Sequence, residues 1–183
     1  DDGVEAVVLL AEQAARFEVA PRRHEQARQR TPPLGKRGVA CPLGRTGANV
    51  SVLCFGGWHF AQPELSDEAS IRLVQRAADS GFTFFDNAWD YHNGHSEEVM
   101  GKALAGGKRA KVFLMTKNCE RDYAGSMKNL DDSLRRMQTD YLDLYQVHRP
   151  EVGTDIDETL GALTVVIERA ELATARTAEI GRA

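Results

Sequence analysis

An α/β fold of the parallel (β/α) barrel type is what this sequence predicts, on three observations. From residue 42 onward, apolar strand-like runs alternate with segments of helical period, the pattern of successive βαβ units on a parallel sheet. Three polar residues close three successive apolar runs at an equal spacing of 31 residues: Asp86 after FTFF, Lys117 after VFLMT and His148 after YLDLYQV. The length, 183 residues, is enough to bury the core of one domain. It is short of the roughly 250 residues usual for a closed eight-stranded α/β barrel.

Composition sets the broad class. The chain is 42% hydrophobic and 27% charged with a formal net charge of −4, ordinary for a globular protein. No apolar run approaches the ~18 residues of a membrane span, and the acidic balance implies no nucleic-acid partner. The three cysteines, Cys41, Cys54 and Cys119, are odd in number and widely spaced, with no CxxC and no histidine at zinc-finger spacing. That usage points to a reducing cytoplasm, with Cys54 expected as a small core residue inside a strand.

Residues 4–20 (VEAVVLLAEQAARFEVA) have the character of a short amphipathic helix, and the basic, proline-bearing stretch after them reads as a linker. Residues 1–40 are therefore expected to be a poorly ordered helix and linker. Arg22 and Arg23 follow the apolar segment, whereas in a twin-arginine signal they precede it. PLGRTGANVSVLCFGG predicts a hairpin with a glycine-containing turn, leading into a first core strand near Val50–Phe55. Ser66 caps a helix with Asp67 and Glu68 in its first turn, Ile71, Val74 and Ala78 facing inward, and Gly81 at its end. Phe82–Asp86 is the next strand. A second helix begins near Ser96 with Glu97 and Glu98 in its first turn and stops at Gly106-Gly107. Val112–Lys117 is the third strand, the stripe Met127, Leu130, Leu134 and Met137 marks a helix lying on a sheet, and Tyr141–His148 is the fourth strand. A last helix runs through Leu160, Leu163, Ile167 and Ala170.

The polar strand ends carry the chemistry. A regular βα repeat brings equivalent strand ends to one rim, the C-terminal mouth where barrel enzymes react. Tyr91, in the loop after Asp86, can fold back over that rim. A tyrosine serves as general acid only if its pKa, normally near 10, is lowered, and an ammonium within hydrogen-bond reach does so; Lys117 would supply it. A buried lysine needs a carboxylate to stay charged, which suits Asp86. His148 can then donate to a carbonyl oxygen and orient it.

GFTFFDNAWDYHNGHSEEVMGKAL, KVFLMTK, SLRRMQTDYLDLYQVHRP and the earlier PLGRTGANVSVLCFGGW closely resemble the aldo-keto reductase family, in order, over about residues 42–163. The resemblance implies a TIM-like (β/α)8 barrel, here truncated to about its first four βα units. It also implies NADP(H) bound without a Rossmann glycine loop, and hydride transfer to an aldehyde or ketone as the small-molecule substrate. The family's catalytic tetrad carries over onto Asp86, Tyr91, Lys117 and His148. Gly57 and Trp58, with Asp86, would lie near the nicotinamide end of the cofactor.

On this reading residues 41–163 are the N-terminal half of the barrel and 164–183 (TVVIERAELATARTAEIGRA) a divergent helical tail in place of the family's fifth strand. Four parallel strands cannot close a barrel, so exposed edges and the uncovered inner faces of Phe84, Met115 and Leu142 are expected, with homo-oligomerisation through those edges as one remedy. An impaired or inactive reductase is the expectation for such a half. Two other readings stand beside the reductase. One is a non-catalytic cofactor-binding subunit resembling the channel β subunits built on the same barrel. The other is a metal site of His59, His92 and His95, disfavoured because no carboxylate or thiolate completes it; no metal is expected.

Overall fold

The computed structural model of the chain describes residues 40–44, 46–149 and 161. The expected helix over 4–20, the linker, the helix through Leu160 and the tail lie outside the described residues.

The expected hairpin forms from β1 (Ala40–Pro42) and β2 (Asn49–Ser51), antiparallel with Cys41 opposite Val50. The expected strand over Val50–Phe55 divides in two. β2 ends at Ser51, and the first strand of the main sheet, β3 (Cys54–Gly56), starts only after the exposed Val52 and Leu53. The break has its cause in hydrogen bonds to a distant part of the chain. The Ser51 N–H donates to Thr83 Oγ1 (2.8 Å), and Ser51 Oγ accepts from the Thr83 and Phe84 N–H groups (3.0 and 3.2 Å). These bonds tie the chain to the start of the second sheet strand, so it must turn before it can join the sheet.

β3, β4 (Phe84–Asp86), β5 (Phe113–Asn118) and β6 (Leu144–Val147) form a four-stranded sheet in chain order, every pair parallel. Strand order never reverses, unlike a doubly wound sheet, so successive crossovers of one hand put their helices on one face. Those elements are the short α1 (Gly57–Phe60), α2 (Asp67–Asp79), α3 (His95–Leu104) and α4 (Tyr123–Arg136). The expected cap is present, with the Ala69 N–H donating to Ser66 Oγ (3.3 Å). Asp122 caps α4 in the same way, its Oδ1 accepting from the Gly125 N–H (2.9 Å).

Strand residues alternate between faces. Phe85 and Leu114 are fully buried on the helix side, in a cluster with Val74, Val99, Met100, Leu104 and Met137. Burial of each such side chain contributes about 1.5–3 kcal/mol. The other face carries Phe84, Asp86, Met115 and Lys117. It is less bare than expected: Met115 is buried, and Leu142 packs onto the helix-side core. Phe84 is partly buried, edge-on to Phe113 at 5.5 Å. Cys54 departs from expectation. It lies in β3 opposite Phe84, on the face turned away from the helices, and is exposed.

Candidate active site

The pairing register explains why three residues spaced by 31 share one face. Asp86 pairs with Met115, and Met115 with Leu144, so each strand is offset from the next by 29 residues. A spacing of 31 exceeds that offset by two, one full pleat, which conserves the face while stepping each residue further toward the mouth. Lys117 stands opposite Gln146, and His148 follows Val147 directly beyond β6.

Lys117 is the hub. Its ammonium donates to the Asp86 carboxylate and to the Asn87 carbonyl (2.9 Å), and lies 3.5 Å from Tyr91 Oη and 5.1 Å from the centroid of the Tyr91 ring. The Tyr91 and His148 rings meet edge-on at 5.5 Å, and Trp58 also packs edge-on against Tyr91, at 5.2 Å. Asp86, Tyr91, Lys117 and His148 thus converge at one end of the sheet. Burial holds the His148 imidazole below its usual pKa, with Lys117 and Arg149 acting in the same direction against the nearby Asp90 and Asp86. The partly buried imidazole is accordingly biased to its neutral form.

Gly57 is buried, and a Cβ there would fall 2.7 Å from Asn87 Oδ1 and 2.8 Å from Ser96 Oγ. Only glycine lets α1 approach so closely, and the Gly57 carbonyl accepts from Ser96 Oγ–H (2.8 Å). Trp58, the next residue, is 46% exposed, leaving much of its indole open beside Tyr91. Asn87 Nδ2 is buried without a hydrogen-bond partner.

Two of the three histidines of the alternative metal set, His92 and His95, make other contacts. His92 Nε2–H donates to the Trp58 carbonyl (2.8 Å), and His95 pairs with Asp67 (2.9 Å) and Glu98 (3.8 Å). Sequence reasoning missed Arg136 and Glu97. Arg136 Nη1 donates to Glu97 Oε2 (3.1 Å) and to the Trp89 carbonyl (3.0 Å), tying α4 to the loop that carries Tyr91. A buried acid in the first turn of a helix carries no distinct sequence signal, because acids there usually face water.

The family model of the aldo/keto reductases matches residues 52–169, more than half the chain and spanning every element of the rim. The chain belongs to the aldo/keto reductase family. Among curated relatives, this family member is 36% identical over 138 residues to the "probable voltage-gated potassium channel subunit beta" of Arabidopsis thaliana, covering 69% of this chain and 42% of that protein. It is 36% identical over 128 residues to the aldo-keto reductase YhdN of Bacillus subtilis, covering 62% and 39%. A thermostable aldo-keto reductase solved with the inhibitor epalrestat superposes with a TM-score of 0.66 at 32% identity, over 72% of this chain and 50% of that one. An aldo-keto reductase of Klebsiella pneumoniae solved with NADPH gives 0.61 at 29% identity, over 68% and 44%. The chain therefore spans about two fifths to one half of the relatives it matches, consistent with part of a (β/α) barrel. Among the described residues no helix is long and apolar enough to cross a membrane.

Proposed function

We propose that the chain carries the carbonyl-reducing end of an NADPH-dependent aldo-keto reductase acting on an aldehyde or ketone. The observation that carries this reading is the Lys117 ammonium, bonded to Asp86 and 3.5 Å from the Tyr91 hydroxyl, with His148 against the same ring. Tyr91 is the general acid. When its proton passes to the carbonyl oxygen, the charge left on Oη faces the Lys117 ammonium, and Asp86 keeps that ammonium charged and aimed. His148, in edge-on contact with Tyr91, orients the carbonyl oxygen. Together they place the developing negative charge among fixed donors, which is where electrostatic catalysis acts.

The residues present fit the nicotinamide end of the cofactor. Trp58 offers an exposed aromatic face beside Tyr91, Gly57 permits the close approach of α1, and Asp86 lies on the same rim. Gly57, Trp58 and Asp86 would hold that end, and NADPH when bound supplies the hydride. The Klebsiella pneumoniae structure with NADPH supports this choice of cofactor.

Tyr91→Phe tests the mechanism. It is expected to lower turnover of an aldehyde panel by about 100-fold or more, the usual worth of a general acid, with an unchanged circular dichroism spectrum. Full activity in that variant would exclude Tyr91 as the acid. The likeness to the Arabidopsis thaliana channel subunit favours a second reading, a non-catalytic cofactor-binding subunit. Saturable quenching of tryptophan fluorescence by NADPH, with no turnover across the panel, would select it.

A further inference from the structure

We infer that Asp90, Cys119 and His148 form a binding site for one divalent transition-metal cation of the zinc class, at the same rim and on the Nδ1 side of the His148 imidazole.

The three residues are spaced by 29, and 29 is the offset at which β4 pairs with β5 and β5 with β6. Each therefore continues the register of its neighbour beyond the strand ends, so three consecutive βα loops deliver their side chains to one point. His148 Nδ1 lies 3.2 Å from Asp90 Oδ1 and 3.6 Å from Cys119 Sγ, and all three donor atoms lie within 4.8 Å of one another. With metal–nitrogen and metal–oxygen distances of about 2.0–2.2 Å and a metal–sulfur distance of about 2.3 Å, a tetrahedral ion requires N···O and N···S edges of roughly 3.3 and 3.6 Å. The observed separations match both edges.

Asp90 Oδ1 points to the same conclusion. It is buried and accepts no hydrogen bond although His148 Nδ1 is close, so their approach is not an aligned N–H···O bond. A buried carboxylate oxygen without a donor is costly, and a cation at the shared centre would satisfy it. The other oxygen, Oδ2, is held by Arg149 Nη2 (3.3 Å), which leaves Oδ1 to ligate. Burial favours the neutral imidazole needed for ligation. Burial and Asp90 push the Cys119 thiol up to about 11, so the thiol proton leaves to solvent as the metal binds. Imidazole, thiolate and carboxylate together suit Zn²⁺ better than a hard cation such as Mg²⁺.

Ligation has one consequence that rests on the reductase reading. A metal on Nδ1 confines the imidazole proton to Nε2, the tautomer able to donate to a substrate oxygen.

The test is a titration of the chelator-stripped full chain with CoCl₂, followed by near-ultraviolet absorption, where a thiolate ligand gives a charge-transfer band. One cobalt per chain with that band is expected. Cys119→Ser should abolish the band, Asp90→Asn and His148→Gln should each weaken cobalt binding by about tenfold or more, and Cys41→Ser and Cys54→Ser should leave it unchanged. No thiolate band in the unsubstituted chain, or a band that survives Cys119→Ser, would overturn the site. The readout needs no turnover, so failure of the reductase reading leaves this result standing.

Discussion

Glu97 lies in the first turn of α3, where an acid ordinarily faces water and complements the helix dipole, yet its side chain is fully buried. Burial pushes its carboxyl above the usual range, while Thr116, Ser133 and Arg136 draw it back down. Its Oε1 accepts from Thr116 Oγ1–H (2.7 Å) and its Oε2 from Arg136 (3.1 Å). Removing one member of such a pair strands the other. Arg136→Met is therefore expected to destabilise the fold by about 3–5 kcal/mol in urea unfolding, far more than an exposed arginine would. His148 carries a pH prediction. Its folded-state pKa lies below the unfolded value near 6.5, so the unfolded chain takes up the proton first. This contribution of His148 to stability is fully present above about pH 6.5 and is lost as the pH drops from there toward the folded pKa. An NMR titration of the metal-stripped protein should give a His148 midpoint below about 6.5, and His148→Gln should flatten this part of the stability profile. A midpoint above 6.5 would contradict the assigned burial effect.

At the scale of elements, the turn that presents Tyr91 is the most strained segment described. His92 (φ 51°), Asn93 (φ 56°) and Gly94 (φ 89°) are left-handed in succession, a conformation that costs non-glycine residues roughly 1 kcal/mol or more each. The turn persists because its surroundings hold it. His92 bonds the Trp58 carbonyl and stacks on the indole at 4.5 Å, the Asn93 N–H donates to the Asp90 carbonyl (3.2 Å), and Arg136 holds the Trp89 carbonyl. At Gly94 a Cβ would meet the Arg136 guanidinium at 2.2–2.6 Å, and that guanidinium is pinned by Glu97 and Trp89. Gly94→Ala is expected to lower stability by about 1–3 kcal/mol and to reduce turnover beyond the loss of folded protein, because the displaced turn carries Tyr91. Thermal melts beside initial rates separate the two effects; unchanged values in both would show that the turn relaxes freely.

Across the described molecule, order should be greatest where the sheet is paired on both sides and backed by helices. β4 and β5 meet that condition, with Phe85 and Leu114 fully buried, whereas β1 and β2 form a two-stranded hairpin on its own. Native-state hydrogen exchange is therefore expected to be slowest at the amides of β4 and β5 and faster by orders of magnitude in the hairpin. Equal protection in the two regions would show that the hairpin and sheet open as one unit.

Much of this organisation was legible in the residues alone. Hydrophobic period and capping chemistry are local properties, so the hairpin, the Ser66 cap, the Met127 to Met137 stripe and the order of strands and helices could be read directly. The convergence of Asp86, Lys117 and His148 followed from spacing, since a βα repeat turns regular sequence distance into a common rim, and Tyr91 joins them from the loop after Asp86. Other features depend on contacts between residues far apart in the chain. The break before β3 comes from the bonds of Ser51 with Thr83, the exposure of Cys54 from the face it occupies, and the burial of Glu97 from the approach of Arg136 out of α4. Sequence alone determined which elements form and which polar groups end the strands. Tertiary structure decided which further groups join them, because the 29-residue pairing offset, set by strand packing, also brings Asp90 and Cys119 to His148.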